Sequence, residues 1–129
     1  MILADTSIWI DHLHRPEEAL RKHLVAGAIR THPLVIHELA LGSIRNREAF
    51  LESINELLRL PALTHSEFLE FVKRRALWGR GLSAVDVHLL GSVAITEGTS
   101  LWTRDKRLRA AAEELGLGYL PDSSSRPAT

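Results

Sequence analysis

Short apolar runs along this chain give way to longer stretches whose apolar residues recur every three to four positions. Met1-Ile2-Leu3-Ala4 is an apolar run stopped by Asp5-Thr6-Ser7, the pattern of a buried strand meeting a helix cap. Trp9 and Leu13 share a face at i,i+4 and predict a short helix. Pro16 fits the first turn of the next helix, whose Leu20 and Leu24 face inward before Gly27 ends it. Ala28 to Thr31 is a second candidate strand. Pro33 starts a helix running through Leu41, with Gly42 as its C-terminal stop. Residues 47–58 are amphipathic, with Phe50, Ile54, Leu57 and Leu58 on the apolar side. Leu60-Pro61-Ala62-Leu63 fits a strand only at a sheet edge, because Pro61 has no N–H for a ladder.

Thr64 and Glu67 form a capping-box pattern ahead of a helix carrying Phe68, Phe71 and Val72. Trp78-Gly79-Arg80-Gly81 reads as a loop whose glycines permit close backbone approach. Ser83 and Asp86 repeat the capping-box pattern and open a helix with Val85, Leu89 and Val93 inward until Gly98. Ser100 to Thr103 is a fourth strand, Lys106 to Leu115 a helix closed by Gly116, and Leu117 to Leu120 a fifth strand. Strands alternating with helices predict an α/β domain, a mostly parallel sheet with helices on both faces. The domain spans 1–120, and residues 121–129 read as a disordered C-terminal tail. In such a sheet a site lies beyond the carboxyl ends of the strands, where strand order reverses.

Composition narrows the chemistry. A chain of 129 residues with 45% hydrophobic and 25% charged residues is ordinary globular material for one domain. No apolar run approaches the roughly 20 residues that span a bilayer, and no basic segment precedes a long apolar stretch at the N-terminus. The expectation is a cytoplasmic protein with no membrane association. The absence of cysteine excludes a disulfide framework, a thiol nucleophile and a thiolate-bound metal. Sixteen Lys and Arg balance sixteen Asp and Glu. That argues against a non-specific nucleic-acid coat, but leaves room for a site in which the two signs are segregated.

Four acids occupy the positions where such a site belongs. Asp5 follows the first strand and Asp105 the fourth, Asp86 sits in the first turn of a helix, and Glu38 lies within the helix beginning at Pro33. Capping is open to three of them: Asp5 and Asp105 as N-caps, Asp86 as the N3 acid of Ser83. Glu38 shares the stripe of Leu34 and Leu41 on an otherwise almost wholly apolar helix, where a carboxylate needs a partner, a proton or a cation. Gathered carboxylates without cysteine suit a hard ion, Mg²⁺ or Mn²⁺. Magnesium held by a few carboxylates is chiefly a device for phosphoryl chemistry.

The ordered set of these segments resembles the PIN-domain ribonucleases and, within them, the VapC toxins of bacterial toxin–antitoxin pairs. Leu3-Ala4-Asp5-Thr6-Ser7-Ile8-Trp9-Ile10 is similar to the family's opening strand and first acid, and His37-Glu38-Leu39-Ala40-Leu41-Gly42 to its second-acid helix. Gly81 to Leu90 resembles the third-acid segment and Leu101-Trp102-Thr103-Arg104-Asp105 the last acidic motif. The resemblance implies an endoribonuclease using Mg²⁺ or Mn²⁺, with Asp5, Glu38, Asp86 and Asp105 as catalytic metal ligands. It implies a homodimer, inhibition by a small VapB-type antitoxin whose C-terminal segment fills the toxin groove, and a heterotetramer or larger assembly with it. Thr6, Ser7 and Thr103 match polar positions beside the acids, where hydroxyls orient carboxylates or cap helices. The expected sheet order is 3-2-1-4-5, with the Pro61 strand at an edge.

Arg80 and Arg104 are the expected contacts to RNA or antitoxin; for Lys106, Arg107 and Arg109 a solvated helix face is the simpler reading. Trp9 and Trp102, in apolar segments, suit the core or a dimer, whereas Trp78, in the Gly-flanked loop, suits base stacking as well as a core or dimer role. The histidines form no zinc motif, since position 41 after His37-Glu38 is Leu41, and surface or internally satisfied roles are expected for all seven. An aspartyl phosphatase would want an acid where Ser7 stands, a receiver domain paired acids after the first strand, and a dinucleotide binder a glycine-rich first turn. The non-enzymatic alternative is a catalytically silent PIN-fold module that only binds protein.

Overall fold

Ile2–Ala4 (β1) is buried at every position, as an apolar run with parallel neighbours on both sides must be. In the computed structural model, which describes residues 1–120, β1 pairs in parallel with Ile29–Arg30 (β2) and with Ser100–Trp102 (β3). Registers run Ile2 to Ile29 on one side and Ala4 to Trp102 on the other, giving the order β2-β1-β3. Chain direction across the sheet reverses at β1, so the switch point lies between β1 and β3.

The outer two strands of the expected five are reduced to single bridges, Arg59 beside Thr31 and Gly118 beside Leu101. At the first edge Thr31 N–H donates to Leu58 and Leu60 N–H donates to Thr31, and the pairing stops there because Pro61 has no N–H. At the other edge Leu101 and Leu117 are joined backbone to backbone, as are Tyr119 and Leu101. Tyr119 also packs its ring on Trp102 and holds His23 through a 2.7 Å contact between its hydroxyl and Nε2. The tail expected over 121–129 lies outside the described residues.

Helices begin where caps allow. Thr6–His14 (α1) is capped by Asp5, and Glu18–Val25 (α2) starts after Glu17, so Pro16 stands outside the helix rather than in its first turn. Pro33–Ala40 (α3) has proline at its start and His32 as cap, Nδ1 accepting from Leu34 N–H at 3.0 Å. His32 is fully buried and its Nε2 has no partner, so it is neither a surface nor a satisfied histidine. Arg47–Asn55 (α4) ends three residues short of the expected 58, and the Leu58 side chain is exposed. His65–Arg75 (α5) and Ala84–Ala94 (α6) both open with complete capping boxes, from Thr64 with Glu67 and from Ser83 with Asp86. Lys106–Glu114 (α7) follows its cap, Asp105.

Leu3, Ile8, Leu20, Leu39, Leu89, Leu90, Leu101 and Leu108 are fully buried and join the sheet to its helices. Gly91 explains how Leu63 reaches α6: a Cβ there would lie 2.2 Å from Leu63 Cδ1. A helical glycine is less favourable than alanine by about 1 kcal/mol, and here it makes room for a buried leucine. No helix among the described residues is long and apolar enough to cross a membrane.

Candidate active site

The switch point is where Asp5 stands. It follows Ala4 directly, its own N–H donates to Trp102 carbonyl at 3.0 Å, and only 6% of its surface is exposed. Oδ1 accepts from Ser7 Oγ at 2.5 Å and from Ile8 N–H at 3.3 Å, while Oδ2 accepts from the Thr103 hydroxyl. Burial pushes the Asp5 carboxyl above the ordinary aspartate range, and the hydrogen bonds from Ser7, Thr103 and Ile8 pull it partly back.

Both hydroxyls are themselves aligned. Ser7 Oγ accepts from Arg104 N–H at 3.0 Å and Thr103 Oγ1 from Asp105 N–H at 3.0 Å. With a backbone donor on the acceptor side of each hydroxyl, both protons are aimed at Asp5. The β3–α7 turn therefore supplies the scaffold of the Asp5 carboxylate, and that turn also carries Asp105. Asp105 Oδ1 accepts from Leu108 N–H at 2.9 Å, the cap of α7.

Glu38 joins from α3, its Oε1 accepting from Thr6 Oγ1 at 2.6 Å. Its setting differs from the expected apolar stripe. The inward face of α3 is Val35 and Leu39, Glu38 is exposed, and Leu41 is 89% exposed. Thr6 and Ser7, consecutive at the start of α1, thus hold two different acids.

Asp86 is half-buried, and its Oδ2 accepts from Ser83 N–H at 3.1 Å within the capping box. No hydrogen bond among the described residues connects it to the other three acids, and no three acids or histidines there are grouped to hold a metal. Asp5, Glu38 and Asp105 are linked only through Thr6, Ser7, Thr103 and the backbone. The donor chemistry nevertheless fits a hard divalent ion: every donor is oxygen, and a buried carboxylate with a raised pKa is relieved by an adjacent cation. Magnesium keeps several waters and takes only one or two carboxylates directly, so a preformed cage of three is not required.

Of the two arginines expected to face RNA or antitoxin, Arg80 pairs with Glu114 at 2.5 Å. Arg104 spans Asp11 at 3.0 Å and Glu17 at 2.7 Å, with its guanidinium 5.9 Å above the Trp102 ring. Beside Glu38 a groove of about 440 Å³ is walled by Ile10, Leu13, Leu39 and Ile44, with His14 and Arg45 at its margin. The sequence pattern missed this groove because it needs α1 and α3 side by side. Ile10 and Leu13, exposed on α1, were the signal that one face lacked an intramolecular partner.

Known proteins resemble this chain, some in sequence and others in fold alone. Residues 2–114 match the PIN domain family. Ribonuclease VapC32 of Mycobacterium tuberculosis, in two strains, is 52% identical over 124 residues, covering 96% of this chain and 100% of the relative. The crystal structure of PAE2754 from Pyrobaculum aerophilum superposes with a TM-score of 0.59 at 22% identity, over 87% of this chain and 86% of that one. A structure of FitAB bound to an IR36 DNA fragment gives 0.56 at 15% identity, over 88% and 91%; at these identities the likeness is one of fold. The family match over most of the chain and the near-full-length identity to a curated relative agree, and this chain belongs to the PIN-domain family, with a VapC ribonuclease among its relatives.

Proposed function

We propose that this protein is a metal-dependent endoribonuclease toxin that hydrolyses RNA phosphodiester bonds and is held silent by a cognate VapB-type antitoxin. The observation that carries the reading is Asp5: a buried carboxylate at the switch point with two hydroxyl protons aimed at it. Its support from relatives is the 52% identity to Ribonuclease VapC32 across nearly the whole chain.

Asp5, Glu38, Asp86 and Asp105 would hold Mg²⁺ or Mn²⁺. When bound, the ion supplies Lewis-acid stabilisation of phosphate charge and lowers the pKa of water. Ser7 and Thr103 keep Asp5 an acceptor on both oxygens, and Thr6 does the same for one oxygen of Glu38. No side chain serves as nucleophile; the acids hold charge and position. The antitoxin's C-terminal segment would lie in the groove walled by Ile10, Leu13, Leu39 and Ile44, which ends at Glu38. The working form in this proposal is a cytoplasmic homodimer, heterotetrameric or larger with antitoxin.

The test is cleavage of RNA by the purified protein. EDTA should stop it and Mn²⁺ restore it, and Asp5→Asn or Asp86→Asn should abolish both cleavage and cellular toxicity while leaving the fold intact. Full activity of either variant with Mg²⁺ would sink the assignment. The separation of Asp86 from the hydrogen-bonded acids favours a second reading, a catalytically silent protein-binding module. That reading expects antitoxin binding with no Mn²⁺-dependent cleavage of any RNA.

A further inference from the structure

Trp78 is the outlier among three tryptophans. Trp9 and Trp102 are 3% and 2% exposed, whereas Trp78 is 66% exposed. Its loop is nonetheless fixed. Leu77, buried in the core, roots it on one side, and Gly79 and Gly81 hold left-handed backbone at φ +70° and +76°. A Cβ on Gly81 would collide with Arg107 Nη1 and fall 2.9 Å from its Cζ, so the Arg107 side chain is packed close against the loop at Gly81.

Charge in this region divides unevenly. Arg80 is taken by Glu114, but Arg107 has no acidic partner among the described residues. Arg107 stands two residues after Asp105, in the first turn of α7, and Gly81 stands five residues before Asp86, in the first turn of α6. The loop and Arg107 therefore bridge the two helix starts that carry Asp86 and Asp105. Trp78, three residues from Gly81, is within about 10 Å of it along the chain. An exposed indole on the same loop that holds a guanidinium without an acidic partner fits a single-stranded nucleic acid: base stacking tolerates any sequence, and arginine takes phosphate. A protein partner would want apolar surface around the indole, whereas the loop residues that follow it are Gly79, Arg80 and Gly81.

Resting on the ribonuclease reading, we infer that Trp78 and Arg107 form a substrate grip, Trp78 stacking an unpaired RNA base and Arg107 holding a phosphate of the same strand. The grip positions the strand over the acids and takes no part in the chemical step.

A short fluorescein-labelled single-stranded RNA, titrated in EDTA and then cleaved in Mn²⁺, tests this. Trp78→Ala is expected to raise both Kd and KM about tenfold with kcat within twofold, and Trp78→Phe to restore most of the loss. Arg107→Ala is expected to lower the slope of log K against log salt by about one. Both side chains are exposed, so unchanged melting temperatures serve as the folding control. Wild-type Kd and KM in Trp78→Ala, alongside intact cleavage, overturn the grip and leave the ribonuclease reading standing. A variant that loses antitoxin affinity while keeping RNA affinity also overturns it, in favour of a protein contact. A wild-type chain that neither binds nor cleaves RNA overturns both.

Discussion

Thr103 donates its hydroxyl proton to Oδ2 of Asp5 across 98 positions of chain, and Thr103 Oγ1 in turn accepts from Asp105 N–H. Thr103→Val keeps the shape and deletes the donor. The carboxylate oxygen is then buried without a partner, at a cost of about 1–3 kcal/mol at neutral pH. The Asp5 carboxyl, already raised by burial, rises further. Chemical denaturation across a pH series should show the loss shrinking as pH falls and Asp5 takes up its proton, and the acid limb of the cleavage profile should move to higher pH. Equal losses at all pH values would contradict the assigned hydrogen bond.

Asp5→Asn should separate stability from activity. Because the folded carboxyl pKa is raised above its unfolded value, keeping Asp5 ionised destabilises the fold at every pH above that range. Asparagine caps a helix as well as aspartate and carries no charge. In EDTA the variant should melt within a few degrees of the wild type, relief of the buried charge being offset by an amide N–H set against a hydroxyl donor, while showing no cleavage. Added Mn²⁺ should raise the melting temperature of the wild type only. A variant that melts far below the wild type in EDTA would mean that the charge is not strained.

Acid sensitivity has a different source. Burial of His32, with His88 and His37 near it, pulls its pKa from 6.5 to about 4. Protonation would also remove the Nδ1 acceptor that caps α3. The folded form thus binds fewer protons than the unfolded chain between those values: stability is full above about 6.5 and declines until pH falls to about 4. A shift of this size is worth roughly 3 kcal/mol. Denaturation midpoints of the wild type should fall through that window, and His32→Asn, which keeps a capping acceptor, should flatten the slope. An unchanged slope would place the proton uptake elsewhere.

Arg104 was expected to touch RNA or antitoxin, and its guanidinium is committed to Asp11 and Glu17. Partly exposed pairs of this kind stabilise by no more than about 1 kcal/mol each. Their larger effect is positional: by tying the β3–α7 turn to Asp11 and Glu17, the side chain fixes the backbone N–H of Arg104 that aligns Ser7 toward Asp5. Arg104→Ala should therefore lower kcat about tenfold with RNA Kd little changed, and Arg104→Lys should recover part of it. A tenfold rise in Kd with kcat intact would restore the substrate contact.

What local chemistry dictates was readable in advance. Asp5 before Thr6, Thr64 with Glu67, and Ser83 with Asp86 announced helix starts, because a cap needs only residues within one turn. The orientation of α3 was not readable. Leu34-Val35-Ile36 and Leu39-Ala40-Leu41 offer apolar residues on every side, so the pattern could not choose which face turns inward, and packing placed Glu38 outward. Arg107 over Gly81, and Arg104 between Asp11 and Glu17, are long-range pairings that no periodicity encodes. The outer strands failed for a smaller reason: Pro61 permits one bridge and nothing beyond it.

The sheet's centre joins the beginning of the chain to its last third, with Ala4 beside Trp102. During synthesis Asp5 emerges well before β3 and the Thr103 hydroxyl, which lies 98 positions further along the chain. A nascent or truncated chain ending before β3 leaves that carboxylate in water beside an unfilled edge. Closure of the proposed site therefore waits on the long-range pairing of β1 with β3, the kind of contact that forms late in folding.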